Sequence, residues 1–173
     1  RLRNFLLITG EAQQLLDSEN MAELTAFCTE SWAISTETDA GSGSWEAAAC
    51  RCLQDLEILE PDWLALLKQW EQAPELPGFA PQDPEKLERI AVYFAFRYLL
   101  KAVNDGDLLG RAQFCALGVL VTDRLSRFVG LPEALRLFSR EIEHNEENLG
   151  TLLEQFWQTE GLSLSALLAA FGG

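Results

Sequence analysis

The sequence predicts an all-α fold, a single compact multi-helix domain built around a central hydrophobic αα-hairpin. Three observations predict it. Apolar residues recur at three- and four-residue spacing through most of the 173 residues, the period of a helix with one face turned inward. Alternating runs of β-branched residues, the mark of strands, do not occur. Two long apolar segments, Ile90 to Val103 and Ala112 to Val121, flank Asn104-Asp105-Gly106-Asp107, which supplies a helix stop, a glycine suited to a left-handed turn and a new cap.

In chain order, a helical region at 5–35 runs from about Phe5 to Ile34, broken near Asp17-Ser18-Glu19-Asn20, where Asn20 suits the cap of a second helix. Residues 36–44 read as a flexible polar linker ending in Gly41-Ser42-Gly43-Ser44. A helix pair occupies 45–72. Its first member runs from about Trp45 to Leu59, and Pro61 suits the first turn of the second, where a missing N–H leaves no bond unmade. Pro74, Pro77, Gly78 and Pro81 make 73–83 a loop, and Asp83-Pro84 reads as the cap and first residue of the next helix. That helix, 84–103, is apolar from Ile90 to Val103 on nearly every face apart from Arg97 and Lys101, so it is expected inside the fold. Its hairpin partner covers about 108–129 and stops at Gly130. Leu131-Pro132 opens a helix to about Glu143, another follows to about Gln158, and Leu162 to Phe171 makes the last, completing a unit over 84–173.

The formal charge of −14 and pI near 4.4 describe a surface that repels phosphate backbones, so nucleic acid is not the expected partner and a basic protein is. Residues 89–130 alone carry a net +3, leaving −17 on the rest, which predicts ion pairing around a basic hairpin. No apolar run approaches the roughly 20 residues of a membrane span, and Glu11 interrupts any signal-peptide core. Cys28, Cys50, Cys52 and Cys115 suit reduced thiols, and the expected location is cytoplasmic. Arg1 is not an initiator Met, so a fragment or trimmed product is expected.

Several residues are candidates for chemistry. Arg97 and Lys101, four apart on one helix, suit an anionic ligand group or, alternatively, a carboxylate from a packed neighbour and a snorkelling helix end. The densest polar stretch is Phe138 to Leu149. If helical, it sets His144, the sole histidine, beside Arg140, Glu141, Glu147 and Asn148, where it suits a general base or a solvated helix face. Glu141-x-x-His144 is half of a dinuclear iron motif, but a second histidine is lacking. Cys50-x-Cys52 has too few companions for zinc. Two Leu-x-x-Leu-Leu patterns, at Leu149 and Leu164, and the tryptophans suit core packing or partner contacts. Glycine-rich phosphate loops and G-x-S-x-G are absent.

Val92-Tyr93-Phe94-Ala95-Phe96-Arg97-Tyr98, Lys101-Ala102-Val103 and Asp105-Gly106-Asp107-Leu108-Leu109, followed by Phe138-Ser139-Arg140-Glu141-Ile142-Glu143-His144 and Glu147-Asn148-Leu149, give the chain a resemblance to the C-terminal part of the bacterial flagellin lysine-N-methylase family. Asp55 to Leu59 with Pro61-x-Trp63 extends it to about 50–157. The resemblance implies methyl transfer to lysine ε-amines of flagellin, S-adenosylmethionine as donor, and an iron–sulfur cluster in a cysteine-rich segment that the four cysteines here do not match. On this reading His144, Glu143 and Arg140 are the catalytic candidates, Arg97 is the cofactor-binding candidate, and no metal ligand is assigned. The chain alone is expected to be inactive. The alternative is a non-catalytic helical interaction or dimerisation module, with homo-oligomerisation expected.

Overall fold

A computed structural model describes residues 1–29, 45–73 and 82–171, and among these every regular element is helical. The linker 36–44 and most of the Pro-rich loop lie outside the described residues, as does the stretch 30–35. Helix α1 spans Leu2–Asp17 and α2 Met21–Thr29. Asn20 caps α2 as expected, its Oδ1 accepting from Glu23 N at 3.2 Å. Helix α3 spans Trp45–Asp55, short of the expected Leu59, and α4 spans Pro61–Gln72 with proline in its first turn.

Helix α5, Pro84–Tyr98, begins under the Asp83 carboxylate, which accepts from Glu85 N at 2.9 Å. A 3₁₀ turn, Leu99–Lys101, carries it into α6, Ala102–Asp105. Gly106 then takes φ 74°, open to glycine at little steric cost, and Asp107 caps α7, Leu108–Val129, by accepting from Gly110 N at 2.8 Å. Beyond Gly130 follow α8, Leu131–Phe138, a π turn at Ser139–Glu143, α9, Glu146–Gln158, and α10, Leu164–Ala170.

Helix α7 is the axis of the fold. It packs against α1, α5, α8, α9, α4 and α10, and residues 112–119 are buried without a break. At Gly118 an added Cβ would lie 3.0 Å from the Phe94 ring, so the missing side chain lets α5 approach closely. The aromatic centre joins three helices: Phe94 of α5 meets Phe114 of α7 edge-on at 6.0 Å and Phe138 of α8 at 5.7 Å. Each such pair adds about 0.5–1.5 kcal/mol beyond its buried area.

The first arm of the hairpin departs from expectation. It is not enclosed: Ile90, Phe94 and Tyr98 face α7, while Val92, Phe96, Leu100 and Val103 stand 62–86% exposed on the other side. An apolar composition all round cannot tell which face a neighbour covers, and here only one is covered.

The remaining motifs resolve as packing. Leu149, Leu152, Leu167 and Leu168 are buried, as are Trp63 and Trp70, whereas Trp157 is exposed. Cys50, Cys52 and Cys115 are buried free thiols, and burial pushes Cys52 up to about 11 and Cys115 up to about 12. The basic hairpin is paired in part with acidic neighbours, Arg97 with Glu143 and Arg124 with Glu46, and in part within itself, Arg111 with Asp105 and Arg127 with Asp123. No described helix is long and apolar enough to cross a membrane.

Candidate functional site

The polar stretch after α8 is not one continuous helix face. At Ser139–Glu143 the backbone widens into a π turn, closed by His144 N donating to Ser139 O at 3.0 Å, and α9 starts anew under the Asn145 cap. One inserted residue changes which way each side chain leaves the helix, and such turns are frequent at functional sites. The two glutamates of Glu141-Ile142-Glu143 therefore serve different neighbours.

Glu141, fully buried, turns to the loop before α4. Its Oε2 accepts from Leu59 N at 2.9 Å and its Oε1 from Glu60 N at 2.7 Å. Asn148 completes the clasp: Oδ1 accepts from Glu57 N at 3.0 Å, and Nδ2 donates to the carbonyls of Glu57 and Glu141, each at 2.8 Å. Both side chains satisfy backbone groups that burial would otherwise leave unpaired. Theirs is a structural assignment, with both Glu141 oxygens engaged by backbone donors. Among the described residues no group of three His, Cys, Asp or Glu is placed to hold one.

Glu143 turns instead to α5. Its side chain is only 4% exposed. Oε1 accepts from Tyr93 Oη and Tyr98 Oη, each at 2.9 Å, and lies 3.6 Å from Arg97 Nε, which in turn donates to Tyr98 Oη at 3.1 Å. These three contacts all fall on Oε1; Oε2 takes none of them. Burial, then the Glu143 carboxylate, raises both phenols above their ordinary value, so both remain protonated donors at neutral pH. The rings also hold cations. Arg97 lies 5.9 Å from the Tyr93 centroid and 5.7 Å from that of Tyr98, and Lys101 Nζ is 5.1 Å from the Tyr98 ring.

A cleft of about 430 Å³ opens beside this group, lined by Arg89, Ile90, Tyr93, Leu135, Arg136, Ser139 and Glu143. A larger groove, about 630 Å³, runs between α1, α5 and α7. Its walls are mostly apolar and hold none of the predicted site residues, so size alone points away from the chemistry; convergent polar groups favour the smaller cleft.

Of the predicted residues, Arg97 and Glu143 come together across α5 and the π turn. Arg140 does not join them: its Nε lies 3.2 Å from Glu60 Oε1, in a surface network in which Arg136 also grips Glu60 and Glu133. That arginine holds the Glu60 carboxyl below its usual range. His144 is exposed on the turn after the π segment, outside the residues that contact Glu143. Tyr93 and Tyr98 are absent from the sequence prediction. They had a signal: they are the chain's two tyrosines, and Tyr93 stands one helical turn from Arg97.

Comparison with known protein families, with curated proteins and with solved structures finds no match to this chain.

Proposed function

We propose that this chain is the helical domain of a lysine-N-methylase-like protein, and that the cleft at Glu143 receives the ε-amino group of a protein lysine. One observation carries the reading. The two stretches that resemble the flagellin lysine-N-methylase family, 92–109 and 138–149, meet through Tyr93, Arg97, Tyr98 and Glu143, although Tyr98 and Glu143 lie 45 residues apart in sequence.

The chemistry of the wall suits that substrate. A carboxylate fixed on one oxygen by two phenols and a guanidinium offers its other oxygen to an ammonium donor without having to reorganise. The adjoining rings already hold Arg97 and Lys101 of the chain itself, so a cationic side chain is the kind of group they accept. The net charge of −14 favours approach of a basic segment, an attraction that salt weakens. On this reading Glu143 Oε2 takes a hydrogen bond or a proton from the ammonium, and Tyr93 and Arg97 are positioning residues for it.

The donor implied by the resemblance, S-adenosylmethionine, supplies a methyl group on a cationic sulfur when bound. Arg89, in the same cleft, would hold the carboxylate of its amino-acid end. The described cysteines do not fit an iron–sulfur cluster, since Cys50 and Cys52 on α3 and Cys115 on α7 are buried free thiols; no step is assigned to one.

The test is transfer of labelled methyl from S-adenosylmethionine to flagellin by a protein that joins this domain to a cysteine-rich segment, after anaerobic reconstitution. Label on lysine, lost when the segment is removed, is the expected result. No transfer by the joined protein contradicts the reading.

A further inference from the structure

The outer face of α5 is an apolar surface that the described structure leaves uncovered, and its pattern is regular. Val92, Phe96, Leu100 and Val103 follow one another at four, four and three residues along the nearly unbroken run α5 to α6, at 62%, 81%, 67% and 86% exposure. That spacing lines them up on one side. Tyr93, 44% exposed, flanks the row. From these exposures the stripe offers about 600 Å² per chain, at the top of the range for a soluble monomer's largest patch.

We infer that this stripe is a self-association surface, and that its occupant is α5 of a second copy lying antiparallel across a two-fold axis near Phe96. The area argues for it: two such stripes fully covered by one another remove up to about 1,200 Å² from water, the lower bound of a specific interface. A two-fold contact requires a patch that complements itself, and a straight row with an aromatic side chain near its middle does so. The antiparallel arrangement sets opposed helix dipoles side by side. An interface this small gives a dissociation constant in the micromolar range, about 1–100 μM.

Sedimentation equilibrium of the full chain tests the inference. The wild type is expected to dimerise reversibly. Phe96→Glu should raise the dissociation constant by roughly thirtyfold or more, with helix content unchanged and the same melting temperature as wild type at dilutions where both are monomeric. Val103→Glu, at the most exposed position of the row, gives the same readout with the least risk to folding. Phe96→Cys should form a disulfide-linked dimer that neither the wild type nor Glu154→Cys forms. A wild type that stays monomeric at about 100 μM, or a dimer that both glutamate variants leave intact, overturns it. So does a monomer whose glutamate variants lose stability, because the stripe is then covered by the chain's own segments.

Discussion

Glu141→Gln separates the structural half of the polar stretch from the half assigned to chemistry. The wild-type carboxylate is fully buried and accepts two backbone N–H groups, Leu59 at 2.9 Å and Glu60 at 2.7 Å. Glutamine keeps one accepting oxygen and turns an NH₂ toward the other donor. One charge-assisted bond, worth about 1.5–3 kcal/mol, is lost, and its N–H is left buried without a partner, at about 1–3 kcal/mol. These figures overlap, because part of the lost bond is the unpaired donor, so the expected destabilisation is about 3 kcal/mol. For a chain of this length that lowers the melting temperature by about 6–12 °C. Urea denaturation at fixed pH reads it directly, with Glu147→Gln, on an exposed site in the first turn of α9, expected to stay within about 0.5 kcal/mol of wild type. If Glu141→Gln also lies within 0.5 kcal/mol, the clasp does not hold the loop and the assignment fails.

Tyrosine ionisation and glycine substitution supply further checks. Tyr93 and Tyr98 are the chain's two tyrosines, and both phenols are raised above their ordinary value by burial and Glu143. Absorbance at 295 nm should therefore show no native titration centred at the ordinary phenol value of about 10. Above that pH the unfolded chain gives up these protons first, so stability present below it is lost as pH rises, and Tyr98→Phe should flatten the slope. A native midpoint at the ordinary value, or an unchanged slope, argues against the buried phenol–carboxylate contact. Gly118→Ala drives a methyl against Phe94 at 3.0 Å and should destabilise by about 1–3 kcal/mol. Gly150→Ala, which meets open space on α9, should stabilise by about 0.5–1 kcal/mol; equal effects in denaturation midpoints would mean that α5 and α7 are not in close contact there.

What was legible in the sequence was what is decided locally. The caps at Asn20, Asp83 and Asp107, Pro61 at a first turn and the left-handed Gly106 depend on neighbouring residues alone. The placement of α7 inside was also legible, because its apolar residues leave no face for water. For α5 the same pattern misled: Phe94 and Phe96 are alike in chemistry, and only the neighbouring helices decide that one is 0% and the other 81% exposed. The candidate site was half legible. Arg97 stood out as a charge in an apolar helix, and Glu143 as part of the polar stretch that carries the resemblance. The π turn, which separates Glu141 from Glu143 and leaves His144 outside, has no local signature, so spacing on a regular helix put the wrong neighbours together.

The central claim is that Glu143, oriented by Tyr93 and Arg97, receives the lysine at which methyl transfer occurs. Steady-state methyl transfer to flagellin by the joined protein, comparing wild type with Glu143→Gln and Tyr93→Phe, tests it most directly. Glu143→Gln is expected to lower kcat/KM by about 10²-fold or more. Tyr93→Phe, at a half-exposed site where folding is little affected, should lower it by about tenfold with the melting temperature held. Wild-type kcat/KM in both variants would contradict the claim.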